Sequence, residues 1–258
     1  MAIITLISDW NKSDYYVGIV KGTIQAKCDK SQIIDITHNI EHFNYPQAGF
    51  IAKATTRYFP KGTVHIIAVN SEATKEHKHI IIKNNGQYYI MADNGIAGFI
   101  FKDTPDLVIE METLEAQTSF PEATVFAKVA AFITCGGDIR ELGEETKHIY
   151  RQVHNIAAID KNSISGTIIF NDSYGNAISN ITKEEFINYG KARKYEILLS
   201  NNNRKITKIS SNYNDVIKGE KLALFNSINL LEIAINEGSA ENLFGLYKGI
   251  SIRIKFID

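Results

Sequence analysis

Short apolar runs alternate with amphipathic stretches through the first half of the chain. Ile3 to Ile7 reads as a strand, Tyr16 to Cys28 as a helix and Gln32 to Ile36 as a second strand. A helix follows from about Pro46 to Tyr58, with proline in the first turn where its missing N–H costs nothing. Thr63 to Val69 then reads as another strand. This rhythm predicts parallel strands with helices packed against them. Lys78 to Lys83 and Gln87 to Met91 flank Asn84-Asn85-Gly86, a hairpin signal because Asn and Gly tolerate positive φ, so the sheet is expected to be mixed. From Pro121 to Thr134, Val125, Val129, Phe132 and Ile133 recur at helical spacing, and Gly136-Gly137 stops the pattern.

After about Arg151 the texture changes. Short strands dominate: Ser165 to Phe170, Tyr195 to Ser200, Arg204 to Ile209, Lys221 to Phe225, Leu230 to Asn236 and Ile250 to Ile257. Polar turns such as Asn201-Asn202-Asn203 separate them, and only brief helices interrupt. The expected fold class is α/β: an N-terminal mixed, mostly parallel sheet with flanking helices over residues 1–150, then a smaller all-β barrel over residues 151–258.

Composition narrows the function. The 258 residues are 44% hydrophobic and 22% charged, globular values, and the net charge of -1 gives no electrostatic case for nucleic acid. No stretch approaches the roughly 20 apolar residues that a membrane span requires. The first apolar run is too short for a signal sequence and meets Asp9 at once, so a reducing cytoplasmic setting is expected. Cys28 and Cys135 lie far apart in no metal-ligand or C-x-x-C spacing; buried inert thiols are expected, with no metal and no cofactor. A small neutral or zwitterionic ligand is the least demanding partner.

Polar clusters recur where apolar runs end. Asp9 precedes Asp14-Tyr15-Tyr16-Val17-Gly18; Asp35-Ile36-Thr37-His38 and Phe59-Pro60-Lys61-Gly62-Thr63-Val64-His65 follow. Later come Asp93-Asn94-Gly95, Asp172-Ser173-Tyr174-Gly175-Asn176, and Ser227 with Leu231-Glu232-Ile233-Ala234-Ile235-Asn236, then Gly238-Ser239-Ala240. Their order and spacing, from Ile4 to about Ile254, resemble the S-adenosylmethionine hydroxide adenosyltransferase family, relatives of the fluorinase and chlorinase enzymes. The resemblance implies cleavage of S-adenosylmethionine at the ribose C5′, with water as nucleophile, to adenosine and methionine. It also implies the same two-domain partition, and a ligand held where one subunit's first domain meets a neighbour's second domain in a homotrimer.

The same resemblance implies that Asp9, Tyr16, Phe120, Asp172, Asn176, Ser227 and Glu232 bind the adenosyl ligand. A carboxylate at Asp9 can accept both hydrogen bonds of a ribose diol, or it caps the helix that starts near Asp14. Tyr16, beside Trp10, can stack on an adenosine or pack in the core. The Asn176 amide offers a donor and an acceptor side by side, as an adenine edge needs, although its loop is also ordinary turn chemistry. Glu232 is alternatively an outward residue on an alternating strand. Asp93-Asn94-Gly95 reads best as a structural turn.

The pattern breaks at the water-activating triad. The family's aspartate, arginine and histidine fall here on Asn70, His77 and the stretch Pro121-Glu122-Ala123-Thr124. Asn70 can orient water but cannot accept its proton; His77, Glu72 or Glu122 could act as base. The catalytic candidates are therefore Asn70, His77 and Glu122. Hydrolysis with a rearranged set is expected, and the alternative is a binding module, a sensor or scavenger, that turns its ligand over slowly or never. Halide transfer is a minor alternative: the fluorinase-type insertion is absent around His79 to Met91, and Glu122 would repel the anion.

Overall fold

A computed structural model describes residues 2–11, 13–112, 118–152, 156–199 and 204–257. The chain divides into two compact units, Met1–Val153 and His154–Asp258.

The first unit begins with β1 (Ile3–Ser8), α1 (Tyr16–Lys27), β2 (Gln32–Thr37), α2 (Tyr45–Thr55) and β3 (Val64–Ala68). It continues with β4 (His79–Asn84), β5 (Gln87–Ala92), α3 (Ile96–Ile100), β6 (Leu107–Met111), α4 (Ala127–Thr134) and β7 (Gly143–Glu145). The strands lie in the order β2-β1-β3-β5-β4-β6-β7. Pairing is parallel across β2, β1, β3 and β5, and antiparallel from β5 through β4 and β6 to β7. Ile4 and Leu6 of β1 point into one core with Val20 and Ile24 of α1 and Val129 and Ile133 of α4. Ile7 and Ile67 point into the other, with Ala48 and Ala52 of α2 and Ile96 of α3. Burial on both faces is why these strands read as unbroken apolar runs.

Two predicted helices end or start differently. The one expected from Pro46 to Tyr58 leaves α geometry after Thr55 and tightens to a 3₁₀ turn, Thr56–Tyr58, because Pro60 disfavours helix at Phe59. The one expected from Pro121 opens on a π-helical turn, Glu122–Phe126, before α4. Cys135, expected to be buried, is exposed at the C-terminal end of α4, whereas Cys28 is buried.

The second unit contains β8 (Ala158–Asp160), β9 (Ser163–Asn171), β10 (Ala177–Thr182), α5 (Lys183–Gly190), β11 (Lys194–Leu198) and β12 (Lys205–Ile206). After them come β13 (Lys221–Phe225), β14 (Leu230–Ile235), α6 (Ala240–Phe244) and β15 (Ser251–Ile257). The antiparallel order is β12-β11-β15-β9-β10-β14-β13, with β8 paired to β9. A bridge from Ile209 to Ala223 brings the chain after β12 against β13, so the sheet curls almost closed around Ile164, Ile197, Leu231, Ile233 and Ile254. The strand expected from Arg204 to Ile209 shrinks to Lys205–Ile206 plus that bridge. Ser200 and the expected turn at 201–203 lie outside the described residues. Thr182 and Glu185 form a reciprocal capping box at the start of α5. Among the described residues, no helix is long and apolar enough to cross a membrane.

Candidate active site

The first set of candidate residues gathers at the carboxyl ends of the parallel strands, where α/β sheets bind ligands. Asn11 after β1, Phe43 after β2 and Asn70 after β3 all have positive φ, at 68°, 61° and 47°. Left-handed backbone at non-glycine residues is costly and concentrates at functional loops. Asp9 does not cap α1, whose N-terminus receives no side-chain bond. Its Oδ2 instead accepts from the Phe43 N–H at 3.2 Å. Beside it, Trp10, Tyr16 and Phe120 form an aromatic group, with ring centres 5.1 Å apart for Tyr16 and Phe120 and 5.6 Å for Trp10 and Phe120.

A polar relay, buried at Ser8 and His38 and open to solvent at Asp35 and Lys21, runs beside this group. Ser8 Oγ bonds His38 Nδ1 at 2.7 Å, and His38 Nε2 lies 3.2 Å from Asp35 Oδ1, off the hydrogen-bonding direction. Asp35 Oδ2 accepts from Lys21 Nζ at 2.6 Å. Burial works to raise the Asp35 carboxyl, but Lys21 and His38 outweigh it and hold it below the usual range. The His38 ring lies nearly parallel to Trp10, 8° between planes. Ser8 is fully buried, so this Ser-His-Asp series positions Trp10 rather than attacking a substrate.

The three catalytic candidates have different surroundings. Asn70 donates its amide to the Tyr45 hydroxyl, and its carbonyl accepts from Asn94 Nδ2 at 3.0 Å. His77 Nδ1 sits 2.8 Å from the Asp93 carbonyl oxygen, and its ring packs 4.8 Å from Tyr150. Asp93 in turn accepts the Tyr150 N–H, and Gly95 has φ 104°, so Asp93-Asn94-Gly95 is a structural turn. Glu122 stands on the first π-helical turn and is only 6% exposed. Burial pushes its carboxyl above the usual range, the charges of Asp9 and Glu72 add to this, and its own backbone N–H and the nearby Ser71 oppose it. The Ser71 hydroxyl is buried and makes no well-aligned hydrogen bond among the described residues. The structure thus brings Asp9, Ser71 and Glu122 together and commits His77 to Asp93 and Tyr150.

The second set lies within the C-terminal unit. Asp172 accepts from the Tyr174 N–H at 3.0 Å, the Asn176 N–H at 2.9 Å and Asn176 Nδ2 at 2.9 Å. Glu232 accepts from the Tyr213 hydroxyl at 2.6 Å and Asn226 Nδ2 at 3.2 Å. Glu232 is therefore not an outward residue; it is 2% exposed. Burial raises its carboxyl, Tyr213 and Asn226 lower it, and the charge of Asp172 raises it, with a net upward shift. Ser227 is exposed at the turn before β14. Gly175 has φ 77°, and its carbonyl accepts the Glu241 N–H at 2.9 Å. Ser239 caps α6 and Asn236 Nδ2 holds the Val216 carbonyl, so much of the motif around Glu232 is scaffold.

Sequence reading missed Ser71, Tyr213 and Asn226. Asn226 adjoins Ser227 and was within reach of the motif; Tyr213 meets Glu232 only through the folded sheet, and no local pattern marks it.

Comparison with known proteins places this arrangement. Residues 4–143 match the SAM hydroxide adenosyltransferase N-terminal domain, and residues 166–253 match the SAM hydroxide adenosyltransferase C-terminal domain. An (R)-S-adenosyl-L-methionine hydrolase from Methanocaldococcus jannaschii is 30% identical over 95% of this chain and 92% of its own length. Another from Thermus thermophilus is 23% identical over 98% of this chain and its full length. The crystal structure of an uncharacterized conserved protein from Thermotoga maritima, 24% identical, covers 99% of the chain and all of its own with a TM-score of 0.88, the same fold. With both domains matched in order, the chain belongs to the SAM hydroxide adenosyltransferase family.

Proposed function

We propose that this chain hydrolyses S-adenosyl-L-methionine at the ribose C5′, leaving adenosine and L-methionine. The observation that most supports this reading is the buried Asp9 and Glu122 beside the Trp10, Tyr16 and Phe120 rings. In it, Asp9 takes the ribose diol with the carboxylate capacity that Phe43 leaves, and Tyr16 and Phe120 wall the adenosyl group. Asn176, its Nδ2 held by Asp172, turns its amide oxygen to the adenine amino group, and Ser227 and Glu232 complete the contacts. The two sets serve one ligand across neighbouring subunits of a cytoplasmic homotrimer, as the family resemblance implies; sedimentation of the purified chain tests the subunit count.

Displacement at C5′ sends the C–S bonding pair to a positively charged sulfur, which leaves as a neutral thioether and needs little assistance. Water is the weak partner, and a base that takes its proton contributes about 10²–10⁴-fold. Glu122 is the best placed of the three candidates. Ionised, it accepts the proton as the water oxygen bonds C5′, and a carboxyl raised by burial is a stronger base than an exposed one. Asn70 orients water at most, and His77 is occupied by Asp93 and Tyr150. The carboxylates around Glu122 oppose a halide in the same place.

One observation favours a second reading, a module that holds an adenosyl ligand and releases it unchanged. As the resemblance aligns them, all three positions of the family's triad are substituted, at Asn70, His77 and the stretch Pro121-Glu122-Ala123-Thr124. Incubation with each sulfonium epimer of S-adenosylmethionine, with adenosine and methionine followed by chromatography, separates the readings. Equimolar products above the buffer rate support the hydrolase. Binding in calorimetry with products only at the buffer rate supports the module.

A further inference from the structure

Asp9 is the carboxylate that the proposed function sets on the ribose diol, and one residue of the neighbouring loop grips the chain on both sides of it. Ser8, just before Asp9, bonds the His38 ring, Oγ to Nδ1, at 2.7 Å. Trp10, just after it, lies nearly parallel to the same ring, with 8° between planes and ring centres 6.2 Å apart. One residue further, the Asn11 N–H donates to the His38 carbonyl at 2.8 Å. The Ser8 carbonyl accepts the Ile40 N–H at 3.2 Å, and Asp9 Oδ2 accepts the Phe43 N–H at 3.2 Å. Ser8 and His38 are both buried. The segment from Ser8 to Asn11 is thus stitched to the segment from His38 to Phe43, with Asp9 between the stitches.

A slip in the sheet puts His38 in that place. Leu6 and Ile7 of β1 pair with Asp35 and Thr37 of β2, so one residue of β2 is extra. In a regular strand side chains three apart face opposite ways; the extra residue lets Asp35 and His38 meet, Oδ1 3.2 Å from Nε2. A carboxylate on that side favours the proton on Nε2, which leaves Nδ1 to accept from the Ser8 hydroxyl. Lys21 of α1 holds Asp35 in turn, at 2.6 Å.

We propose that His38 is a positioning residue that makes the site selective for an intact ribose diol, by fixing the angle at which Asp9 presents its carboxylate. The proposal rests on the reading of Asp9 as the partner of the diol. His38 acts only through Ser8, Trp10 and Asn11. Two hydrogen bonds to one carboxylate demand a set geometry, whereas a single bond tolerates a carboxylate that rocks. Removing the His38 ring therefore weakens a ligand with two ribose hydroxyls more than a ligand with one.

The test compares adenosine with 2′-deoxyadenosine in calorimetry, since neither carries the sulfonium and binding is read without turnover. Wild type should prefer adenosine by about tenfold or more, the scale of one hydrogen bond to a charged group. In His38→Ala that preference should fall below about threefold, because adenosine loses affinity and 2′-deoxyadenosine changes little. A merely structural role would weaken both nucleosides alike and leave their ratio unchanged. Trp10 is the only tryptophan, so its emission reports the loop directly: it should become more open to acrylamide in His38→Ala while circular dichroism stays that of wild type. Should His38→Ala not fold, Ser8→Ala removes one hydroxyl with little change in volume and should lower the preference in the same direction. In an Asp9→Ala background neither change should alter the ratio. A wild-type ratio in folded His38→Ala, or in Ser8→Ala where that variant stands in for it, would overturn the proposal alone. Wild type that binds the two nucleosides equally would overturn the reading of Asp9, and the proposal with it.

Discussion

The two units treat the carboxylates of their candidate sets in opposite ways. In the C-terminal unit Asp172 accepts three hydrogen bonds and Glu232 two, all from the same unit. In the N-terminal unit Asp9 accepts from Phe43, and Glu122 has its own backbone N–H and the poorly aligned Ser71 hydroxyl. Burial raises both glutamates, so depth does not distinguish them. What differs is the number of donors. A carboxylate already surrounded by donors holds a loop in shape, whereas an under-partnered one keeps capacity for a diol or a proton. On the proposed function, the C-terminal set holds the ligand and the N-terminal set leaves room for the chemistry.

The strongest way to break this contrast is to disturb the holding surface through its backbone. A Cβ on Gly175 would stand 2.2 Å from Ser239 Oγ, at φ 77°. Gly175→Ala should therefore cost the C-terminal unit about 3–4 kcal/mol, from left-handed strain plus a displaced cap on α6, read as an earlier denaturant midpoint. A loss under about 1 kcal/mol would mean that the loop is softer than its hydrogen bonds indicate.

Acid should weaken the N-terminal unit next. His65 is fully buried, its Nδ1 2.7 Å from Thr5 Oγ1, and burial pushes it down to about 4. In the unfolded chain it takes a proton near pH 6.5 while the folded form stays neutral, so unfolding binds protons. The His65 contribution is whole above about pH 6.5 and is lost as pH falls towards 4, on the order of 3 kcal/mol. Nuclear magnetic resonance titration of its ring should show no protonation until about pH 4. A midpoint near 6.5 would remove this difference between the units.

Binding should discriminate more finely. Asp9→Ala is expected to weaken S-adenosylmethionine by about 1–3 kcal/mol in calorimetry, the range for hydrogen bonds to a charged group. Tyr213→Phe removes one donor from Glu232 and should cost about 1 kcal/mol of C-terminal stability with turnover unchanged. Equal losses of turnover in both variants would erase the division of roles.

Much of the N-terminal architecture was legible because strands buried on both faces show as apolar runs, punctuated by Asn85-Gly86 and Pro46. β7 was not, since Gly-Glu-Glu carries no apolar period; its place follows from pairing with β6, where a side chain on Gly143 would meet the Glu110 carbonyl oxygen at 2.0 Å. β10 was hidden by Ser179 and Asn180, polar residues whose oxygens accept or donate within the sheet. Asp9, Asp172, Asn176 and Glu232 stood out as polar residues at the ends of apolar runs or within one. Their partners did not, because Tyr213 and Ser71 reach them only through the fold. The depth of Glu122 was equally invisible, as a helix-start glutamate normally faces water.

The most direct test compares Glu122→Gln with Glu232→Gln in paired measurements of S-adenosylmethionine affinity and adenosine formation. Glu122→Gln should bind within about threefold of wild type and lose about 10²-fold or more in kcat, since an amide fills the same space but takes no proton. Glu232→Gln should instead lose affinity and keep most of its kcat. Glu122→Gln with wild-type turnover would contradict the assignment of the reacting half to the N-terminal unit.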